Sequence, residues 1–168
     1  NVVLISDVAV QSVDTHNTCA SVSLANGETI ETSLVVAADS RFSTCRRHVG
    51  IPASMQDFGK AAIVCQMQHA LPHFETAYEY FRYGGTLAIL PMNNNHCSVV
   101  ITVPTHKTES LMQMSTEQFA ANVQTQLQNS LGEMKLAGER YAYPLVATYA
   151  NRFVTNRFAL IGDAAVGM

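Results

Sequence analysis

Four short runs between residues 60 and 103 constrain this chain most. Segments 60–67, 77–83, 86–90 and 98–103 are rich in β-branched and aromatic residues, side chains that suit a pleated, half-buried surface. Gly84-Gly85, Pro91 and Asn93-Asn94-Asn95 separate the last three, and these residue types favour turns over ladders. Short strands joined by tight turns predict an antiparallel sheet. Further on, Ser115-Thr116-Glu117-Gln118 has the spacing of a capping box, and Phe119, Val123, Leu127 and Leu131 follow at helical intervals. This predicts one amphipathic helix over 116–131, its apolar stripe laid on the sheet.

The flanking segments read differently. Ala20, Val22 and Leu24 alternate with Ser21 and Ser23, and Asn26-Gly27 then offers two positive φ angles for a hairpin turn. The return strand is expected over 29–38. Its end, Leu34-Val35-Val36-Ala37-Ala38, is apolar on both faces, as in a strand covered on two sides. A further strand is expected within 2–13. After Asp39, segment 41–49 reads as a short helix capped by Ser40, with Arg46, Arg47 and His48 near its C-terminus and Gly50 and Pro52 ending it. A last strand pair, 140–149 and 153–161, leads into Gly162-Asp163-Ala164-Ala165, read as the start of a helix.

Composition removes several classes. At 168 residues, 48% hydrophobic and 14% charged, the chain has enough apolar surface to pack a core, which excludes a disordered segment. The net charge is −3 and no basic cluster exceeds Arg46-Arg47, so the phosphate footprint of a nucleic-acid partner is missing. No apolar run approaches the roughly 20 residues a membrane-crossing helix needs. The four cysteines, at 19, 45, 65 and 97, form no CxxC pair, and Pro72 stands between His69 and His73, where it breaks a helix that could aim both rings at one ion. No metal is expected. Reduced thiols, and an opening without a basic and then apolar leader, place the chain in the cytoplasm by expectation.

Two segments carry chemistry. In Ala37-Ala38-Asp39-Ser40-Arg41-Phe42-Ser43-Thr44-Cys45-Arg46, a strand end delivers a carboxylate, a helix start and a guanidinium. Such a set can surround a pyrophosphate or ribose at the carboxyl edge of a sheet. In Phe158-Ala159-Leu160-Ile161-Gly162-Asp163-Ala164-Ala165, Gly162 permits close backbone approach and Asp163 can accept hydrogen bonds from sugar-like hydroxyls. Each segment alone equally describes an ordinary cap.

Together and in this order, the two resemble the second and third fingerprints of the class A flavoprotein monooxygenases, the para-hydroxybenzoate hydroxylase family. Asp39, Ser43 and Arg46 match G-A-D-G-x-x-S-x-x-R, and Gly162, Asp163, Ala164 and Ala165 match G-D-A-A. Gly85-Thr86-Leu87-Ala88-Ile89-Leu90-Pro91 is similar to the G-P-L-A-L-L-P strand of the ubiquinone-biosynthesis hydroxylases, and Tyr143-Pro144-Leu145 to their Y-P-L strand. Asp57-Phe58-Gly59-Lys60 and the ending from Gly162 look closest to their demethoxyubiquinol hydroxylase branch. Ala37 and Ser40 stand where the middle fingerprint has glycines, Val166 where the family often has His, and no G-x-G-x-x-G occurs.

The resemblance implies an α+β fold: an antiparallel substrate-domain sheet with a packed helix, plus part of a Rossmann-like FAD-binding domain. It divides the chain into a first FAD-binding segment at 1–50, a substrate domain at 51–150 and a returning FAD-binding segment from 151 to 168. The chain is then a middle piece of a longer enzyme and holds FAD poorly by itself. The implied chemistry is hydroxylation of an aromatic ring with O2 and NAD(P)H. Asp39, Arg46, Gly162, Asp163 and Ala164 are the implied FAD contacts, with Asp163 on the ribityl hydroxyls. Tyr80, Arg82, Leu87 and Ile89 are the implied substrate contacts, or, in the opposite register, Phe81, Tyr83, Leu90 and Met92. The implied substrate is a polyprenylated aromatic met at the membrane surface; a biosynthetic complex and a homo-oligomer stay open. Two rivals remain: an FAD-dependent oxidoreductase acting on a lipid without hydroxylation, and a non-catalytic β-sheet binding domain.

Overall fold

The computed structural model describes residues 2–168. It divides into two compact units, one comprising the chain up to Gln56 together with Val146–Met168, the other Asp57–Leu145. These boundaries fall inside two long strands that run from one unit into the other.

In the first unit, β1 (Val10–Thr15), β2 (Ala20–Leu24) and β3 (Thr29–Thr32) form an antiparallel sheet. The β2–β3 turn is closed by Gly27 N–H donating to Leu24 O at 3.0 Å and Leu24 N–H donating to Glu28 O at 2.8 Å. Only Gly27 has positive φ, at 90°, so the hairpin closes with a single left-handed glycine, and Asn26 contributes through its side chain, accepting from Glu28 N–H at 3.0 Å. The expected return strand is split. Thr32 Oγ1 donates to Leu34 O, bending the chain so that β4 (Val35–Ala37) joins another sheet. On β4 Ala37 is buried, while Val36, like Leu34 just before the strand, is about half exposed, so one face alone is covered among the described residues. Next come α1 (Thr44–His48) and β5 (Ala53–His69), which continues into the second unit.

There, β6 (Tyr78–Arg82), β7 (Gly85–Pro91) and β8 (His96–Pro104) pair antiparallel in the order β5-β8-β7-β6. Helices α2 (Thr105–Met112) and α3 (Thr116–Gln126) and the short β9 (Met134–Leu136) follow, and β10 (Tyr141–Ala150) returns to the first unit. The period of two is plain in the core: Ile63, Cys65 and Met67 on β5, Leu87 and Ile89 on β7, and Cys97, Val99 and Ile101 on β8 all point under α3, against Phe119, Val123, Leu127 and Leu131. Each fully buried large side chain contributes about 1.5–3 kcal/mol, and this stack is what fixes the sheet register. The capping box forms, with Ser115 Oγ accepting from Gln118 N–H and Gln118 Oε1 accepting from Ser115 N–H. The helix ends at Gln126, five residues short of expectation, because Gln128 and Asn129 turn left-handed; Leu127 and Leu131 still reach the core. Helix α2 was invisible in the sequence because it buries no residue. Arg140 pins the corner after it, donating to Leu111 O and Met114 O while lying over the Phe119 ring.

Back in the first unit, β11 (Val154–Thr155) and β12 (Phe158–Leu160) form a hairpin, and β13 (Val166–Gly167) pairs with the end of β10. Val13, Ala37, Ile51, Ala150, Phe158 and Leu160 share its core.

Candidate functional site

The two chemical segments meet through a parallel ladder. β4 pairs with β12 in the register Val35↔Phe158, Val36↔Ala159, Ala37↔Leu160, and Ile161 N–H donates to Ala37 O at 3.0 Å just beyond. Asp39 and Asp163 therefore follow the carboxyl ends of neighbouring strands at one edge of one sheet. That edge is where open α/β sheets hold their cofactors.

Asp39 is an organiser of its own loop. One carboxylate oxygen accepts from Ser43 Oγ at 2.5 Å and the other from Cys45 N–H at 3.0 Å. Partial burial alone would raise its pKa, but the bonds from Ser43 and from the Cys45 N–H and thiol outweigh it and hold the carboxyl below the ordinary range. The cap of α1 is Ser43, whose Oγ accepts from Arg46 N–H at 2.9 Å. Ser40, the expected cap, instead sits at φ 72°. This is the left-handed position a glycine occupies at no steric cost, so the fingerprint's second glycine answers a real backbone demand that serine here meets under strain.

Arg46 joins the two segments. The residue is 4% exposed; Nη1 donates to Ala164 O at 2.8 Å and Nη2 to Arg41 O at 3.2 Å. Nε has no partner, and among the described residues Arg46 makes no ion pair. A buried cation without a counter-charge is costly, and an anion is the partner that its chemistry lacks.

The Gly162-Asp163-Ala164 segment forms a single 3-10 turn and then extends into β13, which corrects the expected helix. Gly162 takes φ 56° with nothing within 4 Å of where a Cβ would stand, leaving open backbone beside the strand end. Gly167 is the opposite case: a Cβ there would lie 2.9 Å from Asp163 Cβ, so glycine is what lets β13 pass behind the aspartate. Asp163 is exposed, and its carboxylate makes no hydrogen bond among the described residues. It lines a cavity of about 560 Å³ with Ser54, Met55, Gln56, Thr148, Tyr149 and Met168 among its neighbours. Thr148 is 1% exposed with an unpartnered Oγ1. Neither Thr148 nor Gly167 carried a signal in the sequence, since both gain their place only from the β10–β13 pairing.

The expected substrate residues fall together on one face of the sheet. Leu87 and Ile89 are fully buried under α3, Tyr80 packs against the same core, and Arg82 donates to Gln126 O at the end of α3. The pleat puts all four on the helix-covered side, where Leu87 and Ile89 have no exposed surface. The other face is open: Leu90 is 45% exposed and Phe81 78%, with half-buried Val64, Ala88 and Val100 beside them in ladder register.

Three of the four cysteines are buried. Burial pushes the Cys45 and Cys65 thiols up to about 12 and Cys97 to about 11, with Asp39 adding to the rise at Cys45. Alkylation of the folded protein at about pH 8, followed by peptide mapping, is therefore expected to label the partly exposed Cys19 well before the other three. Early labelling of Cys45 would contradict the packing around α1.

Residues 8–168 match the family described as FAD binding domain. The chain belongs to that family. It is 46% identical over 168 residues to ubiquinone hydroxylase UbiM of Neisseria meningitidis serogroup C, covering 100% of this chain and 36% of that protein. It is 27% identical over 152 residues to 3-demethoxyubiquinol 3-hydroxylase of Escherichia coli, covering 89% of this chain and 38% of that protein. The chain thus spans little more than a third of these relatives. Among solved structures, the ternary complex of aklavinone-11 hydroxylase with FAD and aklavinone superposes with a TM-score of 0.76 at 15% identity, over 95% of this chain and 32% of that one; this supports the fold. No helix among the described residues is long and apolar enough to cross a membrane, and no cluster of three metal-capable side chains occurs among them.

The first unit fits part of an FAD. Arg46 offers a buried positive charge in want of an anion, Asp163 a free acceptor for hydroxyls, and Gly162 a bare backbone at φ 56° facing open space.

Proposed function

We propose that the full-length protein is a flavin-dependent monooxygenase that hydroxylates the aromatic ring of a polyprenylated ubiquinone precursor, using O2 and NAD(P)H, at the membrane surface. The observation that carries this reading is the parallel β4–β12 pair, which brings both acidic segments to one sheet edge with Arg46 bonded across them. The names of the two relatives support the substrate class. When bound, FAD supplies the redox chemistry, and the protein's part is to bind, orient and exclude water.

In this reading Asp163 accepts hydrogen bonds from ribityl hydroxyls, and Gly162 and Ala164 present backbone to the cofactor. Asp39 keeps its loop in the strained shape that faces the pyrophosphate, and Arg46 holds the two loops at a fixed spacing and adds positive charge. The open sheet face around Val64, Ala88, Leu90 and Val100 offers an apolar floor for the aromatic ring and the start of its prenyl tail; this is the face of the opposite register, with Phe81 and Leu90.

The test has two parts. Deleting the gene in a strain without a redundant hydroxylase should abolish ubiquinone and accumulate an unhydroxylated precursor, read by mass spectrometry; normal ubiquinone would rule this substrate out. In the purified full-length enzyme, Leu90→Asp should raise KM for the prenylated substrate by roughly tenfold, the cost of about 1.4 kcal/mol in lost apolar contact, with flavin content unchanged. An unchanged KM would remove the open face from the substrate site.

A further inference from the structure

We propose that a recess at one side of the open sheet face, walled by Gln66, Ser98, Glu139 and Tyr141, grips the oxygen substituents of the substrate ring and selects a free hydroxyl beside a second ring oxygen. The inference rests on the reading of that face as the substrate floor, and adds the ring's orientation and the substitution pattern it must carry.

The pleat and one anchored arginine place the four side chains. β5 and β8 pair in the register Val64↔Val100 and Gln66↔Ser98, so Gln66 and Ser98 stand side by side on the open face, one step of the pleat along from Val64 and Val100. The alternate residues Cys65, Met67, Cys97 and Val99 are buried under α3. Beyond β9, Ala137 N–H donates to Gln66 O at 2.8 Å and keeps the returning chain alongside β5. Arg140 is then drawn to the helix-covered side by its bonds to Leu111 O and Met114 O. Its neighbours Glu139 and Tyr141 stand on the other side and, with Gln66 and Ser98, line a cavity of about 330 Å³ that has Val64 as its apolar wall.

The chemistry of these walls defines the guest. None of the four side chains has a hydrogen bond or ion pair to any described residue. The Glu139 carboxylate can only accept, while the Gln66 amide and the Ser98 and Tyr141 hydroxyls can both donate and accept. A ligand that satisfies them together brings one O–H for the carboxylate and a further oxygen for the donors: a phenol with an adjacent oxygen substituent. A hydrocarbon tail in the recess would leave all four groups without partners. The tail therefore runs the other way, where Val100, Ala88 and Leu90 continue the floor across β8 and β7 towards the edge strand β6 and Phe81, 78% exposed. Masking the hydroxyl as a methyl ether removes the donor and leaves the carboxylate covered but unpaired, which costs more than the bond itself.

The experiment uses the full-length, FAD-loaded protein, and Kd is read from the change a ligand causes in the flavin absorbance. The probes are a phenol carrying an ortho-methoxy group and a short prenyl chain, and the same compound with its hydroxyl methylated. Methylation is expected to weaken binding by roughly tenfold or more in the unsubstituted protein and by less than about threefold in Glu139→Leu. Urea unfolding of Glu139→Leu should match the unsubstituted protein, since the side chain has no partner in the protein to lose. Leu90→Asp, on the tail's path, should weaken both ligands alike and keep the gap between them. Equal binding of phenol and ether in the unsubstituted protein, or a gap that persists in Glu139→Leu, overturns the proposal. If Leu90→Asp still weakens both ligands in that case, the floor stands without the recess; if it weakens neither, the reading of the open face falls as well.

Discussion

Replacing Arg46 by alanine in the full-length protein is expected to weaken FAD binding by about 3 kcal/mol, roughly a hundredfold or more in Kd, while the flavin-free protein loses less stability. Two opposed effects set the sign and size. The substitution deletes two hydrogen bonds from a charged donor, to Ala164 O and to Arg41 O, each worth about 1.5–3 kcal/mol. It also removes a buried cation that has no counter-charge among the described residues, whose desolvation cost is relieved. Without flavin these terms partly cancel, so denaturant midpoints shift modestly. On the proposed reading an anionic cofactor is the missing partner, so with flavin the second term reverses and the loss shows in full. Arg46→Lys separates charge from geometry: an ammonium group keeps the charge but cannot span both carbonyls as the planar fork does, so it should recover less than half of the binding. Flavin titration and urea unfolding of the three proteins decide the matter. Wild-type affinity in Arg46→Ala would mean that the bridge between the two loops is incidental to the cofactor.

Much of this architecture was legible in the sequence, and the failures share a cause. The strands of the second unit show a period of two, and the capping box placed α3 because Ser115 and Gln118 satisfy each other locally. Which sheet face the helix covers was not legible: Tyr80 and Phe81, Leu87 and Ala88, and Ile89 and Leu90 are apolar on both sides of the pleat, and only the packing of Phe119 and Val123 selects one. The same holds at α1. Ser40 and Ser43 are equally good caps by type, and the left-handed turn at Ser40 leaves the role to Ser43. After Gly162 the sequence suggested a helix because Gly-Asp often starts one. The long-range pairing of Val166 and Gly167 with Tyr149 and Thr148 outweighs that local preference. In the sheet and after Gly162 the sequence names the chemistry and a partner far along the chain decides its orientation, whereas at α1 the turn at Ser40 decides it locally.

Asp163→Ala in the full-length protein is expected to lower FAD affinity by about 1.5–3 kcal/mol, the range for a hydrogen bond to a charged group. The carboxylate is exposed at the mouth of a cavity of about 560 Å³, with no hydrogen bond to any described residue, so its removal leaves no unsatisfied protein group behind and should not unfold the turn. Binding should therefore fall without a matching fall in stability, which separates a ligand contact from a structural cap. Asp163→Asn keeps an acceptor oxygen while losing the charge, and should lie between the two. Gly167→Ala offers an independent route to the same end, because its Cβ would stand 2.9 Å from Asp163 Cβ and must push the aspartate aside or part β13 from β10. If the carboxylate's position matters, this variant should also lose flavin although Asp163 itself is intact. Full flavin retention on dialysis by both Asp163→Ala and Gly167→Ala would make Asp163 a surface residue of the turn, and the cofactor's hydroxyls would have to be bound elsewhere.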